Sequence, residues 1–329
     1  MGAHLRMRVL IVGCGYVGLP LGAELVRQGH AVFGLRRSAL AEAELKAAGI
    51  TPLHADITQP ETLAQLPRNF DWVVNCAASG GGADDYRKVY LEGNRNLVAW
   101  LAGSALKKFV YTSSTSVFAQ NDGSVVTESS ATEPEAPTSK VLVKAEMLLL
   151  DTHPLIPSFS PGGGEGDRRP VEGDSGSRGR LPRQFPAVIL RVAGIYGPGR
   201  GFAFKQFLRG TARIEGDGSR VMNMIHRDDL IGVIIAALRA AKPGEVFNVA
   251  DNEPVSQFQF FQWLAAELKQ PMPPTVPADA EAWRKRGVTN KRVSNAKLRA
   301  ELNYEFQFPD FRAGYAAELR RPATEDFPV

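Results

Sequence analysis

A glycine-rich loop directly after the first buried-strand pattern constrains the fold of this chain more than any other feature. Residues 9–12 form an apolar strand pattern, and a helical pattern covers residues 16–28. The loop residues are Gly13, Cys14, Gly15, Tyr16, Val17 and Gly18. In a βαβ unit, three glycines at this spacing permit a tight turn, the close approach of a pyrophosphate, and close packing of helix on strand. We therefore predict a dinucleotide site at this loop, with the helix N-terminus facing the phosphates.

Further strand patterns alternate with helix-length segments. They cover residues 31–33, 72–75 and 109–111. Such alternation predicts right-handed crossovers and a parallel sheet with helices on both faces. Later patterns predict a helix at 228–241, a strand at 245–250, and a helix that Ser256 caps and that ends near residue 268. We predict the α/β class, with a doubly wound parallel Rossmann sheet and a smaller C-terminal substrate lobe.

The predicted organisation divides the chain into four segments. Residues 7–155 are expected to form the dinucleotide-binding Rossmann region. Residues 156–186 are rich in Gly, Pro and Arg and are predicted to be a disordered insertion, because they cannot bury enough apolar surface to offset the entropy of ordering. Residues 187–321 are predicted to interleave the remaining Rossmann strands with the smaller substrate lobe. Residues 322–329 are predicted to be a tail.

The bulk composition excludes several classes of protein. Of the 329 residues, 44% are hydrophobic and 22% are charged, which is typical of soluble globular proteins. The net charge of +4 comes without a dense basic run interleaved with aromatic residues, so we predict no nucleic-acid partner. No stretch has the roughly 18 uninterrupted apolar residues of a membrane span. Two cysteines are too few for a disulfide framework and indicate a reducing compartment, so we expect a cytoplasmic protein.

The end of the second predicted strand indicates which dinucleotide is bound. NAD-selective sites place Asp or Glu there to bind the ribose 2′-hydroxyl. Here the strand end carries Arg36, Arg37 and Ser38, and no carboxylate precedes Glu42. Two guanidinium groups and a hydroxyl can bind a 2′-phosphate through charge-assisted hydrogen bonds, so NADP(H) is favoured and NAD is the alternative. If the two arginines instead form a solvated edge, they have no part in cofactor choice.

Several motifs across the chain resemble the extended short-chain dehydrogenase/reductases, the family of nucleotide-sugar epimerases and dehydratases, and in particular its atypical bacterial members. The motifs are residues 54–57 (HADI), 75–78 (NCAA), 111–118 (YTSSTSVF), 191–199 (RVAGIYGPG) and 225–230 (IHRDDL). The resemblance implies an NAD(P) cofactor, a sugar-like or nucleotide-linked substrate, and a homodimer formed through paired helices.

The same resemblance implies roles for individual residues. Ser114 takes the position of the catalytic serine. His226 and Asp229 are expected to organise the second lobe. The residues that the resemblance places along the dinucleotide, from adenine to nicotinamide, are Asp56, Ile57, Cys76, Ala77, Ala78, Val192 and Ala193.

One departure from the family pattern limits the prediction of activity. In short-chain dehydrogenases a Tyr and a Lys four residues later share a helix face, and the lysine lowers the pKa of the tyrosine that exchanges a proton with substrate. Here Thr138 and Leu142 occupy those positions. Lys140 and Lys144 lie one helical turn apart and are candidate substitutes, although lysines on a solvated helix face would show the same spacing. Tyr111, Tyr196 or a bound water are the other candidates.

Three functions are compatible with these patterns. The first is an NADP(H)-dependent oxidoreductase or epimerase that acts on a sugar-like or nucleotide-linked carbonyl or hydroxyl compound. The second is a catalytically inactive NADP(H)-binding sensor or regulator. The third is a UDP-glucose/GDP-mannose dehydrogenase-like enzyme, which residues 13–21 (GCGYVGLPL) also resemble, but that family needs a later catalytic cysteine and only Cys76 is available. Cys14 and Cys76 are interpreted as small buried hydrophobes rather than a redox pair. We assign no metal ligands.

Overall fold

A computed structural model describes residues 5–38, 40, 42–79, 81–151, 185–277 and 289–320. The described strands, in chain order, are β1 (Arg8–Val12), β2 (Ala31–Arg36), β3 (Thr51–His54), β4 (Trp72–Asn75), β5 (Lys108–Ser114), β6 (Val125–Val126), β7 (Ala187–Val192), β8 (Gly194–Tyr196), β9 (Ile214–Glu215), β10 (Val221–Met222), β11 (Met224–His226), β12 (Val246–Val249), β13 (Val255–Ser256), β14 (Thr275–Val276) and β15 (Arg292–Val293).

The described helices are α1 (Gly18–Arg27), α2 (Glu42–Ala47), α3 (Pro60–Leu63), α4 (Ala83–Tyr86), α5 (Gly93–Leu101), α6 (Pro137–Leu150), α7 (Phe202–Leu208), α8 (Arg227–Ala240), α9 (Gln257–Leu268), α10 (Ala296–Leu302) and α11 (Phe311–Leu319). A π-helical segment, Arg87–Glu92, joins α4 to α5, and a 3₁₀ turn, Thr115–Val117, follows β5.

Seven of the strands form one sheet in the order β12-β7-β5-β4-β1-β2-β3, and every pair in it is parallel. The residues of β4 and β7 are all buried, which explains why these strands appear in the sequence as continuous apolar runs rather than as alternating patterns. Chain order reverses at β1, whose neighbours are β2 and β4. In open parallel sheets, ligands bind outside the carboxyl ends of the strands at such a reversal.

Helices cover both faces of the sheet, so the predicted doubly wound α/β fold is confirmed. One apolar cluster joins the sheet to α1, α8 and α10 and includes Leu21, Ile234 and Leu298. A second cluster joins the opposite face to α5 and α6 and includes Leu97 and Leu149.

A third apolar cluster lies beside the sheet and is rich in aromatic side chains from α7, α9 and α11. Phe260, at its centre, contacts Phe261, Phe311 and Tyr315 with ring centroids 5.4–5.6 Å apart. This cluster is the core of the smaller lobe. The capping box that Ser256 forms with Gln259 starts α9, as the sequence predicts.

His226 and Asp229 connect the start of α8 to the C-terminal part of the chain. The His226 ring accepts a hydrogen bond from the Asp228 N–H, and its Nε2 lies 3.2 Å from a Glu318 carboxylate oxygen. The buried Asp229 carboxylate accepts hydrogen bonds from the Tyr304 hydroxyl at 2.9 Å and from two backbone N–H groups at 2.8 and 2.9 Å. Both residues thus have the organising contacts that the family resemblance implies.

Some predicted boundaries differ from the observed ones. Helix α1 begins at Gly18 rather than at residue 16, because residues 14–17 form a turn. Strand β5 continues to Ser114, past the apolar run that predicted it. The predicted tail and nearly all of the predicted insertion lie outside the described residues, while Phe185 packs against Phe109 with ring centroids 5.1 Å apart. Across the described ranges, no helix combines the length and hydropathy that crossing a bilayer requires.

Candidate active site

A cavity of about 1160 Å³ opens along the carboxyl ends of the central strands, where chain order reverses. It brings together residues that are widely separated in sequence. The predicted site residues that line it are Gly13, Cys14, Gly15, Tyr16, Val17, Arg36, Arg37, Ser38, Asp56, Ile57, Cys76, Ala77, Ala78, Ser114, Val192 and Ala193. Gly18 does not line the cavity but packs against the backbone of Gly13 in the same loop.

Each glycine of the loop meets a different steric demand. Gly13 has a φ of +87°, and a Cβ there would lie 2.7 Å from the backbone nitrogen of Ala77. A Cβ on Gly18 would lie 2.3 Å from the Gly13 carbonyl oxygen. A Cβ on Gly15 would meet no atom of the described residues within 4 Å. Gly13 and Gly18 are therefore required by the protein's own packing, whereas Gly15 leaves space in the cavity.

The features around the loop fit a dinucleotide. No described side chain caps helix α1, and its first turn contains no acidic residue, so the positive dipole end of the helix suits a phosphate. Two lining residues, Tyr16 and Ser116, have buried hydroxyls without a hydrogen-bond partner in the described part of the chain. Buried hydroxyls seldom lack a partner, so both indicate that a polar ligand completes the site.

The end of β2 places both predicted arginines at the cavity. Arg36 Nη1 lies 3.0 Å from Glu44 Oε2 in an exposed ion pair. Arg37 is exposed and has no hydrogen bond or ion pair with any described residue. The carboxylate of Glu44 comes from α2 rather than from the strand end, which is why local spacing did not predict it.

The loops after β3 and β4 are ordered by short side chains. One carboxylate oxygen of Asp56 accepts hydrogen bonds from the N–H and hydroxyl of Thr58, at 2.9 and 2.8 Å. Asn75 Oδ1 accepts the Ala77 N–H at 3.0 Å, and Asn75 Nδ2 donates to Asn94 at 2.9 Å. These bonds fix the backbone of the two loops that border the glycine loop.

Ser114 ends β5, and its hydroxyl oxygen accepts the Ser116 N–H at 3.2 Å. Beneath it lies a buried ionic network. Glu146 on α6 accepts a hydrogen bond from the Ser113 hydroxyl at 2.5 Å and from Arg191 Nη2 at 2.8 Å. Arg191 also donates to the Glu128 carbonyl at 3.1 Å. The network fixes β5, β7 and α6 relative to one another directly below Ser114.

The structure corrects the prediction for Lys140 and Lys144. Both are exposed, and neither is among the residues that line the cavity. The buried stripe of α6 contains Thr138, Leu142 and Leu149, so the helical period turns both lysines to the opposite face. Leu142 lines the cavity at the position where the family pattern has a lysine.

The other candidate proton donors are also displaced from the site. Tyr111 and Tyr196 are buried and do not line the cavity. Burial raises the pKa of the Tyr196 hydroxyl well above its usual range, and that hydroxyl donates to the Asp310 carbonyl at 3.4 Å. Neither tyrosine is placed to exchange a proton with a ligand in this cavity.

Both cysteines are poor nucleophiles. Burial is the main cause that raises the pKa of each thiol to about 12, so almost no thiolate is present at neutral pH. The Cys14 sulfur packs against Gly34, because a Cβ added to Gly34 would lie only 2.8 Å from it. This close packing supports the interpretation of Cys14 as a small hydrophobe. The raised pKa of the Cys76 thiol does not favour the thiolate that a UDP-glucose dehydrogenase-like mechanism needs.

Sequence reasoning missed four cationic lining residues from the second half of the chain. They are Arg200, Lys205, Arg220 and Lys291. The Arg200 guanidinium lies 5.0 Å from the centre of the Tyr16 ring, and Arg220 is 3.4 Å from Glu215. These residues share no short motif, and only tertiary structure brings them to the cavity that the glycine loop also lines.

The sheet order, the glycine loop and the adjoining cavity define a Rossmann-type protein with a site suited to a dinucleotide. Residues 9–140 match the model of the NAD dependent epimerase/dehydratase family. A solved structure from Methylobacillus flagellatus assigned to the NAD-dependent epimerase/dehydratases is 30% identical, with a TM-score of 0.69, and the match covers 95% of this chain and 97% of that one. This chain belongs to the NAD-dependent epimerase/dehydratase family.

Two further proteins are similar over nearly their whole length. Protein YeeZ from Escherichia coli K12 is 26% identical over 308 residues, which cover 92% of this chain and 97% of YeeZ. The dTDP-glucose 4,6-dehydratase DesIV from Streptomyces venezuelae, solved with NAD bound, has a TM-score of 0.75 at 21% identity, with 95% of this chain and 96% of DesIV covered. At that identity the likeness to DesIV shows the fold alone.

Proposed function

We propose that this chain is an NADP(H)-dependent oxidoreductase or epimerase that acts on a carbonyl or hydroxyl group of a sugar-like or nucleotide-linked substrate. The charge of the cavity carries this proposal. Among the described lining residues, six are cationic and one, Asp56, is a carboxylate. The cations are Arg36, Arg37, Arg200, Lys205, Arg220 and Lys291. They come from opposite ends of the chain, with Ser114 and the uncharged glycine loop lining the same space.

Arg36, Arg37 and Ser38 are proposed to bind the 2′-phosphate of NADP(H). A guanidinium presents several N–H donors in a plane that matches phosphate oxygens. The ion pair of Arg36 with Glu44 does not oppose this role strongly, because exposed pairs contribute only about 0–1 kcal/mol and a phosphate can replace the carboxylate. Binding of the adenosine end at β2 leaves the nicotinamide end for Ser114, Val192 and Ala193.

Replacing both Arg36 and Arg37 by alanine is expected to weaken NADPH binding about ten- to a hundred-fold and to leave NADH binding unchanged. Hydrogen bonds to charged groups contribute about 1.5–3 kcal/mol each, and only the 2′-phosphate would lose them. Titration of the nicotinamide fluorescence measures both affinities. Arg27→Ala, on the exposed face of α1, is the matched control. Equal NADPH affinity in the double variant and the wild type would show that the two arginines are solvated and do not bind the 2′-phosphate.

The second cationic group supports an anionic substrate. Arg200, Lys205 and Arg220 line the part of the cavity nearest the smaller lobe, where a phosphate or diphosphate would be paired with positive charge. The dTDP-glucose dehydratase DesIV, which shares the fold, acts on a nucleotide-linked sugar. The two cysteines are both free, which suits the predicted cytoplasmic setting. The homodimer stays a prediction.

Turnover tests the enzymatic proposal. We expect the protein with NADPH to reduce at least one member of a panel of aldehydes, ketones and nucleotide-linked ketosugars. Ser114→Ala is expected to lower kcat by about a hundred-fold or more, because Ser114 is the proposed hydrogen-bond donor to the reacting oxygen. NADPH affinity should stay near the wild-type value in this variant.

One observation favours the alternative of a catalytically inactive sensor. Leu142 and Thr138 leave the family's Tyr–Lys positions without a proton-exchanging group. Tight NADPH binding together with no turnover of any panel member would support the sensor and contradict the enzyme.

A further inference from the structure

Lys291 is a buried ammonium group in the wall of the candidate active site. Its side chain lines the cavity, and the residue is 3% exposed. Its Nζ donates to the Phe118 carbonyl oxygen at 3.3 Å and to the Thr289 hydroxyl oxygen at 2.6 Å. Within the described residues, no carboxylate pairs with it. A buried charge without a counter-charge is costly, so its retention here points to a task in the cavity.

The backbone around Lys291 is held from two sides. The Lys291 carbonyl accepts Asn223 Nδ2 at 2.9 Å, and the Val293 N–H donates to Asn223 Oδ1 at 2.8 Å. The preceding residue, Asn290, hydrogen-bonds with the Gln120 and Gly123 backbones at 3.3 and 2.9 Å. Lys291 is therefore fixed between the β10–β11 connection and the segment that follows Ser114.

The contacts of the ammonium connect it to the segment that follows Ser114. Phe118, which accepts one N–H, lies directly after the 3₁₀ turn that Ser114 starts and caps. Ser114, Thr115 and Ser116 line the same cavity as Lys291. An ammonium has three N–H bonds, and the described residues accept two of those of Lys291, which leaves one N–H without a partner among the described residues.

We propose that Lys291 donates the proton to the substrate oxygen, in the role for which this chain has no Tyr–Lys pair. This inference rests on the proposed oxidoreductase function. In the reduction, the substrate carbonyl carbon accepts a hydride from the reduced nicotinamide dinucleotide, and the electron pair of the C=O π bond moves to oxygen. That oxygen takes a proton from the Lys291 ammonium, which gives the alcohol, a neutral amine and the oxidised dinucleotide. A solvent proton then restores the ammonium, and the oxidation runs through the same steps in reverse.

The acidity of Lys291 suits this role. Burial lowers the pKa of its ammonium to about 8, close to the pH at which a proton donor works best. Because the protonated form donates, the rate of reduction is expected to fall as pH rises through about 8, and the rate of oxidation is expected to rise. Charged groups on the segments near Lys291 include Arg191, which lies over the ring of Phe118. The others are Asp122, Glu128, Glu215, Arg220 and Arg292.

Three variants of the full-length protein test the proposal. Lys291→Met removes the ammonium group and keeps a side chain of similar length. Lys291→Arg keeps the positive charge but cannot release a proton near neutral pH. Lys242→Met, at an exposed position outside the cavity, is the control. We expect both Lys291 variants to lower kcat by about 10²–10⁴-fold, the usual contribution of acid–base catalysis. NADPH affinity should remain near the wild-type value, and Lys242→Met should behave as wild type. KM is expected to be retained best in Lys291→Arg.

A second readout does not depend on turnover. In ¹⁵N-lysine NMR spectra, the signal that Lys291→Met removes is expected to titrate near pH 8 in the wild type. Titration of that signal at the ordinary lysine pKa, or an unchanged kcat in Lys291→Met, would overturn the proposal while leaving the proposed function intact. A raised KM with unchanged kcat would make Lys291 an anion-binding residue and overturn proton donation. A wild-type protein that binds NADPH but turns over no panel member would overturn both proposals together.

Discussion

Gly15→Ala is expected to fold as stably as the wild type and to bind NADPH about a hundred-fold more weakly. Within the described part of the chain, a Cβ at Gly15 meets no atom within 4 Å, so the change costs the folded protein little. The added methyl enters the space that a pyrophosphate occupies in this fingerprint, and steric crowding of about 1–3 kcal/mol lowers the affinity by up to about a hundred-fold. Thermal unfolding and fluorescence titration together separate stability from binding.

Two further glycine substitutions serve as comparisons for Gly15→Ala. Gly18→Ala should lose both stability and binding, because its Cβ would lie 2.3 Å from the Gly13 carbonyl oxygen and the backbone must move. Gly82→Ala should lose neither, since a Cβ there also meets no atom within 4 Å and Gly82 is not a lining residue. If Gly15→Ala bound NADPH as the wild type does, the pyrophosphate would not lie at this loop.

Glu146→Ala is expected to lower the free energy of unfolding by about 3–5 kcal/mol. The change would leave the Arg191 guanidinium buried without its counter-charge, and breaking one partner of a buried pair costs about that much. It would also leave the Ser113 hydroxyl without the carboxylate that now accepts its hydrogen bond. Denaturant unfolding of the purified variant measures the loss.

The exposed pair of Arg27 and Glu24 supplies the control for this prediction. Glu24→Ala should cost less than about 1 kcal/mol, because solvent screens exposed ion pairs. The double substitution Glu146→Leu with Arg191→Met should recover much of the loss, because well-packed apolar residues often replace a buried pair without cost. A loss below about 1 kcal/mol in Glu146→Ala would show that the network beneath Ser114 contributes little to stability.

The sequence was most informative where the determinants are local. The glycine loop, the strand at Ala187–Val192 and the capping box at Ser256 each depend on neighbours within a few residues, and the structure has all three. The helical period of α6 explains why Lys140 and Lys144 are exposed, because the buried stripe that contains Leu142 and Leu149 lies on the opposite face. The spacing of the two lysines is the same for a solvated face and for a site, so the family pattern alone does not distinguish the two.

The rest of the site could not be predicted, because it depends on long-range contacts. Lys291 reaches the cavity through hydrogen bonds to Phe118 and Asn223, and no local pattern distinguishes it from a surface lysine. Arg200 and Arg220 line the same cavity as the glycine loop only because the smaller lobe packs beside the sheet. The cationic character of this part of the cavity is therefore a property of the tertiary structure.

Equilibrium titration of the wild-type protein with NADPH and with NADH tests the central claim most directly. The account predicts saturable binding of NADPH with a dissociation constant at least about ten-fold lower than that for NADH, from the bonds that only the 2′-phosphate can make with Arg36 and Arg37. Binding of neither dinucleotide, or equal binding of both, would contradict the assignment of this cavity as an NADP(H) site.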